Sequence, residues 1–223
     1  MINQLNHLAV VMDGNRRWAR QNNLLENLGY SKSFEVVKKI FEYCIEEKIP
    51  NLTLYAFSTE NWSRPKKDII FIFKLLENAI DNNLQDLIKN NIRLNFIGNL
   101  ELLDNSLKEK LLKTQFVTKD CSLLCVNIAI SYGARDEIVR SVNKLLESKL
   151  EINEKNINKY LDIPLDVDLL IRVGGAKRLS NFLLWQCSYA EIYFSDTFFP
   201  AFKIDELKNI VKDFKKRKRT FGR

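Results

Sequence analysis

Three polar clusters in the chain place carboxylates, guanidiniums, hydroxyls and amides directly after short apolar runs. Asp13-Gly14-Asn15-Arg16-Arg17-Trp18 follows the run from Leu8 to Met12. Ser58-Thr59-Glu60-Asn61-Trp62-Ser63-Arg64-Pro65 follows Leu52 to Phe57, and Arg172-Val173-Gly174-Gly175 leads on to Arg178-Leu179-Ser180-Asn181. Glu191 opens a further apolar run. These residue types suit a magnesium diphosphate site. Asp13 and Glu191 are hard oxygen ligands for Mg2+, which takes one or two carboxylates from protein and fills its shell with water and diphosphate oxygens. Arg17, Arg64, Arg172 and Arg178 can fork onto phosphate oxygens, which lysine does not do bidentately. The free backbone N–H groups of a helix beginning near Gly14 to Arg17 also suit an anion. Two sets of arginines around one or two carboxylates suggest two phosphorylated substrates meeting.

Each residue taken alone has a plainer use. Asp13 serves equally as a helix N-cap with Gly14 easing the turn. Trp18 and Trp62 fit a core or a rim, and Arg64 before Pro65 fits a surface charge at a helix start. Their coincidence on one edge of one sheet favours the site, because open parallel sheets bind ligands beyond the carboxyl ends of their strands.

The elements that must position these groups follow from the hydrophobic pattern. Six apolar, β-rich runs read as strands: Leu8 to Met12, Leu52 to Phe57, Arg93 to Ile97, Leu123 to Ile130, Asp168 to Arg172 and Glu191 to Phe194. Segments of helical period separate them: 31–47, 66–90, 106–116, 135–150, 154–161 and 204–217. This alternation predicts a single α/β domain over 1–223, with a mostly parallel sheet of about six strands flanked by helices. The segment 66–90 carries more apolar positions than one stripe needs. Burial on several sides and one face lining a cavity for an elongated apolar ligand are both compatible with that pattern.

Composition narrows the class further. The 223 residues are 46% hydrophobic and 28% charged, ordinary for a globular chain that needs no disulfide or metal to hold its core. Of the net charge of +7, the basic tail 212–223 holds most, with seven basic residues against one acid, and the preceding 211 residues carry only +1. A global cationic field of the nucleic-acid-binding kind is therefore absent. His7 is the only histidine and the four cysteines form no CxxC pair, which disfavours zinc, a Ser-His-Asp arrangement and a disulfide framework. No P-loop or GxGxxG motif is present. No secretory signal and no spanning apolar stretch is visible, so a cytoplasmic protein is expected.

At these residues the sequence resembles the cis-prenyltransferases, most closely the bacterial undecaprenyl diphosphate synthases. The segments that carry the resemblance run in family order: His7 to Asn15, Leu52 to Trp62, Ser131-Tyr132-Gly133-Ala134-Arg135, and Arg172 to Glu191. It implies a Mg2+-dependent homodimer with a hydrophobic tunnel. Such an enzyme elongates an allylic diphosphate, farnesyl diphosphate being expected, with isopentenyl diphosphate, and adds cis double bonds. The product would be a long-chain polyprenyl diphosphate, the lipid-carrier precursor for cell-wall glycan synthesis. By the same resemblance Asp13 handles Mg2+, and Gly14, Asn15, Arg16 and Arg17 hold the allylic diphosphate with Arg64 and Tyr30. Arg172, Arg178, Leu179 and Ser180 hold isopentenyl diphosphate, and Glu191 completes the metal site. Asn61 matches a position tied to proton removal, although an amide is a poor base. Ser58, Thr59, Glu60 and Trp62 shape the pocket, with Trp18 beside the allylic chain. The tunnel would give segment 66–90 a use for its excess hydrophobicity.

Four positions depart from the family pattern. Arg16 stands where glycine is usual, Glu26 for an arginine, Tyr30 for a histidine and Ala176 for an acid. Arg16 can supply the cation that Glu26 does not. These departures keep two alternatives in view: a non-catalytic partner subunit, and a Mg2+-dependent phosphohydrolase with Asp13 as nucleophile. Retention of Asp13, Asn61, Arg172, Arg178 and Glu191 weighs against the first, and Asn15 in place of a second acid against the second. Near the C-terminus, Arg219-Thr220-Phe221-Gly222 loosely resembles an ending by which a neighbouring subunit reaches the isopentenyl diphosphate site. A solvated basic tail, or one drawn to anionic lipid, fits the same residues.

Overall fold

The computed structural model describes residues 4–218, so the Arg219 to Gly222 ending lies outside the described residues. All six expected strands form: β1 (His7–Val11), β2 (Asn51–Ser58), β3 (Ile92–Ile97), β4 (Leu124–Tyr132), β5 (Leu169–Arg172) and β6 (Glu191–Phe194). They make one sheet in the order β3-β4-β2-β1-β5-β6, and every pairing is parallel. The chain leaves β1 toward β2 on one side and reaches β5 on the other only after β4. The crevice between the carboxyl ends of β1 and β5 is therefore the topological switch point, where such sheets bind ligands.

Among the described residues seven α-helices flank the sheet, six between strands and one after β6: α1 (Asn15–Gln21), α2 (Glu26–Glu46), α3 (Lys66–Lys89), α4 (Asn105–Val117), α5 (Ala134–Glu147), α6 (Glu154–Tyr160) and α7 (Ile204–Lys216). β1 is buried along its whole length because both sheet faces are covered. Leu8 and Val10 point into the larger core with α2, α4 and α7, and Ala9 and Val11 into a second core on the other face. α2 starts five residues before the periodicity indicates. Gly29 and Asn27 weaken the pattern there, yet Gly29 is needed in that turn, since a Cβ would collide with the Asn15 carbonyl of α1.

Two features of the sequence resolve on this scaffold. Three of the tail's seven basic residues belong to α7, whose Leu207, Ile210, Val211 and Phe214 are buried at helical spacing while Lys212, Lys215 and Lys216 face outward. The surplus apolar positions of α3 serve two overlapping uses. Ile69, Phe73, Ile80 and Leu87 are buried, and Phe73, Ile80 and Leu87 join Ile72, Leu75, Leu76 and Ala79 in lining an apolar cavity of about 480 Å³ between α2, α3 and the sheet. Ile70 and Ile88 point to solvent, at 54% and 37% exposure.

Candidate functional site: an arginine-rimmed carboxylate above an apolar cavity

Asp13 stands two residues past the end of β1. Gly14 then takes a left-handed φ of +96°, and a Cβ there would lie 2.6 Å from the Phe198 ring, so only glycine fits the turn. This turn points the Asp13 carboxylate into the switch-point crevice. Oδ1 accepts from the Gly14 N–H (2.6 Å) and from Arg17 (3.0 Å), and Oδ2 accepts from Arg172 (3.0 Å). Burial pushes the carboxyl upward, but the Arg172 and Arg17 guanidiniums outweigh it and hold Asp13 below the usual carboxylate range. The group is ionised at neutral pH.

Arg172 closes β5 and is only 4% exposed. Its Nη1 donates to the Arg178 carbonyl and the Ser180 hydroxyl, both at 2.6 Å, which ties the loop after β5 to Asp13. Its Nε is buried and finds no protein acceptor. The loop accommodates this link with left-handed backbone at Gly174, Gly175, Ser180 and Asn181. Gly174 packs against the Asp13 backbone, where a Cβ would come within 3.0 Å of the carbonyl oxygen.

Around this centre the rim is cationic. Arg17 is exposed, with its guanidinium 5.0 Å above the Phe198 ring, and Arg178 is exposed on the loop after β5. Arg64 donates to the Tyr30 hydroxyl at 3.2 Å, bringing the loop after β2 to α2. The N–H groups of Asn15, Arg16 and Arg17 lie in the first turn of α1 and have no intrahelical carbonyl to bond. The Asn15 side chain is spent on structure: it donates to the Met12 carbonyl and accepts from Ser33, anchoring α1 to α2.

The segment after β2 is a 3₁₀ turn closed by a reciprocal box. The Ser58 hydroxyl accepts from the Asn61 N–H, and the Asn61 side chain accepts from the Ser58 N–H. Asn61 therefore uses its carbonyl as a cap. Glu60 accepts from Asn181 (3.1 Å), and Trp62 donates to Ser131 (2.9 Å) while its ring packs on Phe57 and Phe73. Gly133 lets these loops meet, because a Cβ there would lie 2.6 Å from both Thr59 and Asn181.

The cavity opens beside this rim. Met12, Asn15 and Tyr30 stand at its near end, and Asn83, Asp86 and Asn90 at its far end. Ile72 and Asn90 both line it, and 18 helical residues at 1.5 Å each give a length of about 27 Å. Between them the wall is apolar, with Phe34, Val37 and Phe41 from α2 facing Leu75, Leu76 and Ala79 from α3.

Three expected site residues stand elsewhere. Glu191 is the first residue of β6, in register with Leu169 of β5 and so with Leu8 of β1, at the amino edge of the sheet. At 3.3 Å per residue and 4.8 Å per strand it lies roughly 15 Å or more from Asp13, too far for one ion within one chain. Its carboxylate accepts from Arg217 at 2.6 Å instead. In a parallel sheet the start and end of a strand face opposite edges, so Glu191 and Asp13 do not form a two-carboxylate site in this chain. Leu179 packs against the second core with Tyr55 and Leu184 and anchors the loop. Trp18 is half-buried on α1 and is not part of the cavity wall. A further acid lies on the same edge as Asp13: Asp196, two residues past β6, is exposed with its Oδ1 3.6 Å from the position of a Cβ on Gly175. The rule that reads the residues after each strand would have found it.

The chain is similar to known proteins over its whole length. Residues 11–222 match the family model described as putative undecaprenyl diphosphate synthase. An isoprenyl transferase of Campylobacter jejuni is 58% identical over the full length of both chains, and one of Aquifex aeolicus is 43% identical over 97% of this chain and 95% of that protein. A crystal structure of a probable undecaprenyl diphosphate synthase from Campylobacter jejuni superposes with a TM-score of 0.89 over the whole of both chains, at 54% identity. Lavandulyl diphosphate synthase from Lavandula x intermedia, solved with dimethylallyl diphosphate, gives a TM-score of 0.92 over 98% of each chain at 27% identity. The chain belongs to the undecaprenyl diphosphate synthase family and is a cis-prenyltransferase.

Proposed function

We propose that the protein condenses isopentenyl diphosphate onto an allylic diphosphate, farnesyl diphosphate in the first cycle, and repeats the step to build a long polyprenyl diphosphate. One observation carries the reading: an ionised carboxylate and several guanidiniums rim one end of an apolar cavity about 27 Å long. A molecule with a diphosphate head and a hydrocarbon tail matches both parts at once. The complex of lavandulyl diphosphate synthase with dimethylallyl diphosphate supports an allylic diphosphate seat on this fold.

The chemistry separates charge when the allylic carbon–oxygen bond breaks. Arg17, Arg64 and the first-turn N–H groups of α1 hold the departing diphosphate and stabilise the charge that develops on it. Asp13 fits Mg2+ as a single hard oxygen donor, with diphosphate and water completing the shell. Bound Mg2+ would supply Lewis acidity toward the leaving group. Arg172 fixes the Asp13 carboxylate from beneath, and Arg178 and Ser180 offer the second diphosphate its seat on the loop after β5. Asn61 orients a water or a diphosphate oxygen that takes the proton released after bond formation. Phe34, Phe41 and the α3 wall keep water from the allylic cation and receive the growing tail.

The product's role as precursor of a cell-wall lipid carrier belongs to the same proposal, as does action as a homodimer. Val139 and Leu146, exposed seven residues apart on one face of α5, support a second copy covering that helix. No helix among the described residues is long and apolar enough to cross a membrane. A peripheral contact with lipid, through the basic outer face of α7, suits release of so apolar a product. The test is incubation with farnesyl diphosphate, radiolabelled isopentenyl diphosphate and Mg2+, followed by sizing of the extracted products. Long labelled chains from the wild type and none from Asp13→Ala support the reading. Phosphate release without elongation would make the protein a hydrolase, and neither product would make it a partner subunit.

A further inference from the structure

Beside the site lies a second, smaller pocket of about 100 Å³, roughly three waters' share of liquid volume. Arg16, Glu26, Asn27, Tyr30, Asp68 and Phe71 line it. Tyr30 belongs to this pocket and to the large cavity alike, and its hydroxyl accepts from Arg64. The pocket therefore adjoins the rim of the large cavity, and its lining holds one guanidinium and two carboxylates. Its charges are arranged unequally. Arg16 donates through Nε to Glu26 Oε2 at the start of α2 and through Nη1 to Asp68 at the start of α3 (3.3 Å). Arg20 takes the other oxygen of Glu26, Oε1, with its Nε at 2.6 Å. One guanidinium on α1 is thus fixed by carboxylates from the two helices that wall the cavity. Arg16 has five N–H donors, and these bonds use only two of them.

We propose that Glu26 and Asp68 are positioning residues that hold Arg16 with its unspent Nη donors facing the allylic diphosphate. The inference rests on the proposed reaction and deepens it. The physical reason is preorganisation. A free arginine on a seven-residue helix loses rotamer freedom each time it binds an anion. Arg16 has already lost that freedom, because Glu26 fixes its Nε edge and Asp68 fixes its Nη1 corner. Tyr30 beside it accepts from Arg64 and so links that guanidinium to the same pocket. The arrangement also ties the anion seat to both cavity walls, so α1, α2 and α3 are held in register at the end where the tail enters. Glu26 and Asp68 touch no substrate in this account. They act through Arg16.

Steady-state elongation kinetics with each substrate varied in turn test this. Glu26→Gln is expected to raise KM for the allylic diphosphate about tenfold, with KM for isopentenyl diphosphate and kcat within twofold. Inorganic pyrophosphate, titrated calorimetrically, should weaken by a similar factor. Because Glu26 acts through Arg16, the double variant Arg16→Gly/Glu26→Gln should be no worse than Arg16→Gly alone. Asp68→Asn should raise the same allylic KM and leave that for isopentenyl diphosphate within twofold, since it frees the Nη1 corner of Arg16. Additive losses in the double variant, an equal rise in both KM values, or unchanged allylic KM in Glu26→Gln would overturn the proposal. A wild-type protein that elongates nothing would instead defeat the reaction on which it rests.

Discussion

Replacing Asp13 by Asn removes one charge and almost no volume, so it isolates what the carboxylate does for Arg172. Breaking a fully buried ion pair by deleting one partner costs about 3–5 kcal/mol, because the other charge is left uncompensated. Here the Asp13 side chain is 30% exposed, and Arg172 keeps the Arg178 carbonyl and the Ser180 hydroxyl as acceptors. Those features bring the expected loss to about 2 kcal/mol, while the exposed Arg17 pair adds no more than about 0.5 kcal/mol. A chain of this size loses about 2–4 °C per kcal/mol, so the melting temperature should fall by about 4–8 °C. The gap has a pH signature. Asp13 is depressed in the fold, so its contribution is complete above the unfolded value of 3.8 and is lost as pH falls through the lower folded value. Calorimetry of wild type and variant should therefore show a constant gap from pH 7 to about pH 5 that closes in acid. Turnover should fall by about 100- to 1,000-fold, the range for losing a preorganised charge at a reacting centre. A variant that melts within about a degree of wild type, or that elongates at the wild-type rate, would refute the role given to this carboxylate.

Two further outcomes follow from other parts of the structure. Ala79→Phe places a ring in the cavity opposite α2, and should shorten the extracted products while costing no more than about 1–3 kcal/mol of stability. Unaltered product length would show that the chain grows elsewhere. His7 is 1% exposed between the Asp166 carbonyl (3.0 Å) and the Thr53 hydroxyl (2.7 Å). Burial holds it below 6.5 despite the opposing pull of Asp166, Asp168 and Leu165. Being neutral in the fold, it binds fewer protons than in the unfolded chain, so stability is full above pH 6.5 and declines below it. One pH unit lower the loss is at most about 1.4 kcal/mol, and urea unfolding at pH 7.5 and 5.5 should show that difference for wild type but not for His7→Gln.

The strands were legible because each is a short apolar run with both faces buried, and Glu191 to Phe194 was read to the residue. Their order was not. Nothing in the sequence places β4 between β3 and β2, since that depends on how helices of given length pack across the sheet. The centre of the site could be read because Asp13, Arg17 and Arg172 all fall just past or at a strand's carboxyl end. Glu191 falls at the opposite edge from Asp13, and its residue type does not show this because it depends on the direction of the strand. Arg172 carries a second lesson. A buried arginine and an exposed one look alike in sequence, but this one spends its donors on Asp13, Arg178 and Ser180 and so organises the site from beneath. The double use of α3 was visible as an excess of apolar positions, and only packing could show that one face lines a cavity.

The most direct test of the central claim is a crystal structure with an allylic thiodiphosphate that resists ionisation, soaked with Mg2+. The diphosphate should lie against Arg17 and the first turn of α1, with the prenyl tail between Phe41 and Leu76 in the cavity. Density for the tail outside that cavity, or for the diphosphate at the amino edge of the sheet beside Glu191, would contradict the account.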